Sequence, residues 1–69
     1  MAATIRVNGE DRPFDAATVM ELLRDLGVDP DRRGVAVALN GAVVRRGDWP
    51  AAALAPGDQV EIVKPYAGG

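Results

Sequence analysis

A chain of 69 residues without cysteine, histidine or serine makes one small domain with no disulfide, no thiolate or imidazole metal ligand, and no serine or cysteine nucleophile. Its 48% hydrophobic and 26% charged content is that of a globular domain rather than a disordered chain. Eight Lys+Arg against ten Asp+Glu, a net charge of −2, argue against nucleic acid or an anionic membrane as partner.

From the N-terminus, Thr4-Ile5-Arg6-Val7 alternates polar and apolar residues and runs into Asn8-Gly9, a pair suited to a type I′ hairpin turn. The return strand is predicted over residues 10–14, with Pro13 near its end or on an edge. Thr18 and Glu21 then have the spacing of a capping box, in which the threonine caps the helix and the glutamate reaches back to the cap's own N–H. Val19, Leu22, Leu23 and Leu26 fall at i, i+3, i+4 and i+7, one apolar stripe. Gly27 ends the helix and Pro30 confirms the stop. A helix of about two turns is unstable alone, so its stripe must lie on a sheet.

Residues 28–34 are largely polar and read as a surface loop. Residues 35–39 form a strand with large side chains on one face and alanine on the other. Asn40-Gly41 is a second hairpin turn, and residues 42–44 return from it. A charged connection over residues 45–48 precedes one helical turn predicted over residues 49–54, with Pro50 near its start. Pro56-Gly57 suits a type II turn, and residues 59–63 alternate as a last strand with Val60 and Ile62 on its apolar face. The expected core is Ile5, Val7, Phe14, Val19, Leu22, Leu23, Leu26, Val37, Leu39, Leu54, Val60 and Ile62.

The predicted order is strand, strand, helix, strand, strand, helical turn, strand: an α+β domain with a small mixed sheet packed on one main helix. It is expected to span residues 1–64, with residues 65–69 as a flexible tail. The longest unbroken apolar stretches, residues 35–39 and 51–55, are too short for a signal peptide or a membrane span. Together with the lack of cysteine, this favours the cytosol. Trp49 reads as a core residue and the pairs Arg32-Arg33 and Arg45-Arg46 as solvated charge.

Lys64-Pro65-Tyr66-Ala67-Gly68-Gly69 cannot continue a strand or pack a core. Fully extended, residues 65–69 reach roughly 17 Å. A Gly-Gly end has no Cβ, so it can thread a narrow channel and offer its carboxylate to another protein's active site. That carboxylate is ionised at neutral pH and can attack the α-phosphorus of ATP when an enzyme positions both. A sulfur donor would convert the resulting acyl-adenylate to a thiocarboxylate; a lysine amine would convert it to an isopeptide.

The blocks Thr18-Val19 with Glu21-Leu22-Leu23, Val37-Ala38-Leu39-Asn40-Gly41, Val43-Val44 with Arg46 and Trp49, Gly57-Asp58 with Val60-Glu61-Ile62-Val63, and the closing Gly68-Gly69 resemble the ThiS family of sulfur carrier proteins from thiamin biosynthesis. The resemblance implies a ubiquitin-like β-grasp fold of about five strands. It further implies that the chain is no enzyme but a co-substrate. A ThiF-type adenylating enzyme would use ATP to activate Gly69, a sulfur donor protein would supply the sulfur, and thiazole synthase would receive it. No cofactor would be bound. Tyr66, Ala67 and Gly68 would serve in tail recognition and Gly69 in covalent modification. Arg45 stands where many relatives have proline, and Pro65-Tyr66 is similar to the small subunit of molybdopterin synthase, which has another acceptor. A protein modifier and an interaction module with an inert tail are the alternatives outside sulfur transfer.

Overall fold

The computed structural model describes residues 3–65. These form β1 (Thr4–Val7), β2 (Glu10–Pro13), α1 (Val19–Asp25), β3 (Ala36–Leu39), β4 (Ala42–Val44), a 3₁₀ turn (Arg46–Asp48) and β5 (Gln59–Val63). The two Asn-Gly pairs close the antiparallel hairpins β1–β2 and β3–β4. All four turn residues have positive φ, as a type I′ turn demands. β5 enters between the hairpins, parallel to β1 and antiparallel to β3. The resulting five-stranded mixed sheet has the order β2-β1-β5-β3-β4.

The alternation within the strands decides which face is covered. Ile5 and Val7 of β1, Val37 of β3, and Val60 and Ile62 of β5 are buried beneath Val19, Leu22 and Leu23 of α1. One two-layer core results, with Val19 and Leu23 wholly inaccessible. Phe14, Leu26 and Leu39, expected in the core, pack only at its rim. Leu26 is the C-cap of the helix, and Phe14 lies beyond the end of β2, its N–H donating to the Ala3 carbonyl at 3.0 Å.

Val28, expected on the surface, is buried. Its N–H donates to the carbonyl of Leu23 at 2.9 Å while that of Gly27 donates to Arg24 at 3.1 Å, the paired bonds of a Schellman ending. That motif folds the residue after the glycine back onto the helix, which brings Val28 against Leu23 in the core. Ala16 and Val35 join them from the segments flanking the helix and β3.

At the other end of α1, Thr18 is the N-cap: its Oγ1 accepts from the Glu21 N–H at 3.2 Å. The glutamate reaches back one residue further than expected, its Oε1 accepting from the Ala17 N–H at 3.4 Å. Thr18 is extended and pairs antiparallel with Ala53, a short bridge made by Leu54 N–H to the Ala17 carbonyl at 2.9 Å and Val19 N–H to the Ala52 carbonyl at 3.0 Å. Thr18→Ala should cost about 1 kcal/mol in urea unfolding and Thr18→Ser almost nothing. Equal losses would mean that the hydroxyl does not cap.

The helical turn expected over residues 49–54 lies earlier, at Arg46–Asp48. Pro50 has no N–H to continue the ladder, so Asp48–Ala52 is held instead by separate turns, Ala51 and Ala52 both donating to the Asp48 carbonyl. Trp49 is buried, as expected, and its Nε1–H donates to the Val44 carbonyl at 2.9 Å. The Arg46 guanidinium covers its ring at 4.7 Å from the centroid and donates to the Arg32 carbonyl at 2.7 Å. Arg46 is thus a structural tie rather than merely solvated charge.

Candidate functional site

The residues expected to do chemistry, Gly69 with Tyr66, Ala67 and Gly68 before it, lie outside the described residues. What the structure supplies is their base. β5 leads directly to them, and it is the middle strand, bonded on both sides.

Side chains add to that hold. Asn8, which makes a turn in one hairpin, also grips β5: its Oδ1 accepts from the Ile62 N–H at 2.8 Å and its Nδ2 donates to the Ile62 carbonyl at 3.2 Å. Asn40, in the other hairpin, accepts from the Gln59 N–H at 2.9 Å and donates to Asp58 Oδ1 at 3.1 Å. Each asparagine amide therefore stands in for a missing strand residue where the ladder runs out. Sequence reasoning found the turns but not these second roles, because nothing local ties residue 8 to residue 62.

The sheet face away from the helix divides in two. On the β1–β2 side it is polar, with Arg6 Nε 3.3 Å from Asp11 Oδ1. On the β3–β4 side it is largely apolar, with the exposed Glu61 of β5 opposite Ala38. Ala36 is paired with Val63 and Ala38 with Val43. Val43 is 79% and Val63 61% exposed, the large hydrophobic residues left open to solvent among the described residues. The sequence held this signal in the alanine face of residues 35–39: small side chains make that area flat enough to lie against another surface. Val63 is two residues from Pro65, so the patch and the start of the tail are contiguous.

Among the described residues no group of three acidic side chains could hold a metal ion, and no helix is long and apolar enough to cross a membrane. Buried polar side-chain atoms there all have partners. The described residues thus offer a partly apolar sheet face beside the start of residues 65–69.

The sequence model of the ThiS family matches residues 5–69, including the terminal diglycine. The chain belongs to the ThiS family. One ThiS relative, the sulfur carrier protein ThiS of Thermus thermophilus, is 40% identical over 63 residues, covering 91% of this chain and 95% of its own. A thiazole synthase of Magnetococcus marinus is 44% identical over 66 residues, covering 94% of this chain but 20% of that protein. A thiazole synthase of Paramagnetospirillum magneticum is likewise 44% identical over 64 residues, with 91% and 19% covered. The chain thus spans about a fifth of the length of these two synthases. The crystal structure of a ThiS protein of Geobacter metallireducens superposes with a TM-score of 0.76 at 36% identity, covering 96% of this chain and 99% of that one. The mixed sheet on one helix is therefore the β-grasp of the ThiS family, as the resemblance implied.

Proposed function

We propose that this chain is a sulfur carrier of thiamin biosynthesis and that Gly69 holds the sulfur as a thiocarboxylate. The observation that carries this reading is that the family match continues past β5 to the terminal Gly68-Gly69, with a curated sulfur carrier of the same extent. In the proposed sequence, a ThiF-type adenylating enzyme binds ATP and the tail. A carboxylate oxygen of Gly69 attacks the α-phosphorus and pyrophosphate leaves. The outer sulfur of a persulfide on a donor protein then attacks the acyl carbon and AMP leaves, giving an acyl disulfide. A thiol attacks the donor's sulfur, the S–S bond breaks, a thiol–donor disulfide forms, and Gly69 is released with one terminal oxygen replaced by sulfur.

Thiazole synthase is the proposed acceptor, rather than molybdopterin synthase. Two synthases that match this chain carry the matching segment within their own polypeptide, which supports a working contact between the two modules. Val43, Val63, Ala36 and Ala38 are the proposed docking face, because a protein that receives the tail must also meet the surface beside it.

The test is to incubate the chain with the adenylating enzyme, ATP and a sulfur donor and to weigh it intact. The expected result is exchange of one oxygen for sulfur at the C-terminus, followed by its loss when thiazole synthase and its substrates are added. A C-terminus that remains a carboxylate, or one that ends linked to lysine on other proteins, would overturn the reading.

A further inference from the structure

The pairing of β3 with β5 places Ala36 opposite Val63 and each earlier residue of one opposite a later residue of the other. Continued outward by two positions, the register sets Gly34 opposite Pro65. The two residues do meet. A Cβ added to Gly34 would stand 2.7 Å from Pro65 Cβ and 2.9 Å from its Cγ, too close for any real side chain. Gly34 also has φ of +85°, where only glycine is unstrained. The pyrrolidine ring therefore rests on bare backbone.

This contact has the form of a seat. On the strand side, proline has no N–H to extend the ladder and its φ is fixed near −65°, so the root of the tail is stiffer than any other residue would make it. On the loop side, Gly34 is anchored by its buried neighbour Val35. The rest of the loop is tied down as well. Asp29 accepts from the Asp31 N–H at 2.9 Å and the Arg32 N–H at 3.2 Å. Arg46, stacked on the buried Trp49, holds the Arg32 carbonyl. Both Gly34 and Pro65 are exposed, so the contact buries little and core stability does not explain it.

We propose that Gly34 and Pro65 set the direction in which the tail leaves the domain, making Gly34 a positioning residue for the chemistry at Gly69. The proposal rests on the carrier reading above. Four residues separate Pro65 from the end of the reacting carboxylate, a reach of about 13–14 Å. A partner that holds both the sheet face and the tail needs that reach aimed correctly, and a root fixed beforehand spares the partner the entropy of fixing it. Freeing one backbone residue corresponds to a factor of roughly 5–30 in a rate that requires it ordered.

The experiment measures ATP-dependent pyrophosphate release with the adenylating enzyme for the wild-type chain, Pro65→Gly, Gly34→Ala and the double variant, with melting temperatures alongside. Pro65→Gly should keep its melting temperature while kcat/KM falls roughly 5–30-fold. Gly34→Ala should push the ring away and lower kcat/KM comparably. In the double variant the ring is gone, so kcat/KM should be no lower than in Pro65→Gly alone. A Pro65→Gly chain with wild-type kcat/KM, or a double variant that loses the product of the two single effects, would overturn the seat while leaving the carrier reading intact. A wild-type chain that releases no pyrophosphate would sink the carrier reading and the seat with it. Should Gly34→Ala fail to fold, Pro65→Gly decides alone, since residue 65 lies beyond the last strand.

Discussion

Deleting Gly69, or adding one residue after it, should lower sulfur loading of the C-terminus by about 10²-fold or more and leave the fold unchanged. The proposed chemistry would require the terminal carboxylate to meet the α-phosphorus of ATP in the partner, and misplacement by about 1 Å can already cost 10²-fold; a whole residue moves it several times that far. The fold is expected to be indifferent because the last strand ends at Val63 and the core among the described residues is built from residues 5–62. Circular dichroism and urea midpoints should match wild type while intact mass shows no sulfur. Gly69→Ala asks a narrower question, since it keeps the carboxylate in place and adds a methyl group where close approach is expected. A chain extended beyond Gly69 that acquired sulfur at the normal rate, without being trimmed back, would defeat the mechanism.

Leu23→Ala should strongly destabilise the core, costing about 2–5 kcal/mol. Leu23 is fully inaccessible, and its backbone carbonyl also receives the Val28 N–H that ends the helix, so the surroundings have little room to collapse into the void. A domain of this size rarely has more than about 3–5 kcal/mol in hand; the variant should therefore be largely unfolded at moderate urea concentration. Val43→Ala, at a side chain 79% exposed, should stay within about 0.5 kcal/mol of wild type. Urea titrations of the pair check both, and a loss below about 0.5 kcal/mol for Leu23→Ala would mean that the helix does not face the sheet through this residue.

Much of this architecture was legible wherever the determining interaction is local. Hairpin turns need only two residues with positive φ, so Asn8-Gly9 and Asn40-Gly41 announce themselves. The stripe Val19, Leu22, Leu23 likewise shows the buried face of the helix. The misses share a different cause. Val28 looked like part of a polar loop because its burial depends on the helix ending that throws it back onto Leu23, although an apolar residue directly after the glycine was an available sign. Pro50 marked the helical turn, but as its limit rather than its start. The asparagine grips on β5 and the seat between Gly34 and Pro65 join residues far apart in sequence, and only the assembled sheet brings them together. For the functional group itself the situation is reversed: Gly68-Gly69 could be read only as sequence, while the apolar patch beside the tail needed the register of β3, β4 and β5.

The place of β5 has a consequence for how the molecule comes into being. The two hairpins share no hydrogen-bonded edge with each other; they are joined in the sheet only through this last strand. Without residues 59–63 the described chain consists of two ribbons and a seven-residue helix, each marginal in water by itself. Assembly must wait for the final strand to slot between the first and the third, a closure that pairs residues more than fifty positions apart and is slow for that reason. Until then β1 and β3 each expose an unpaired edge, the state most open to aggregation or to a protease. The strand that completes the sheet is also the one that leads into residues 64–69, so the proposed carrier terminus is presented by an assembled sheet only once the last strand is in place.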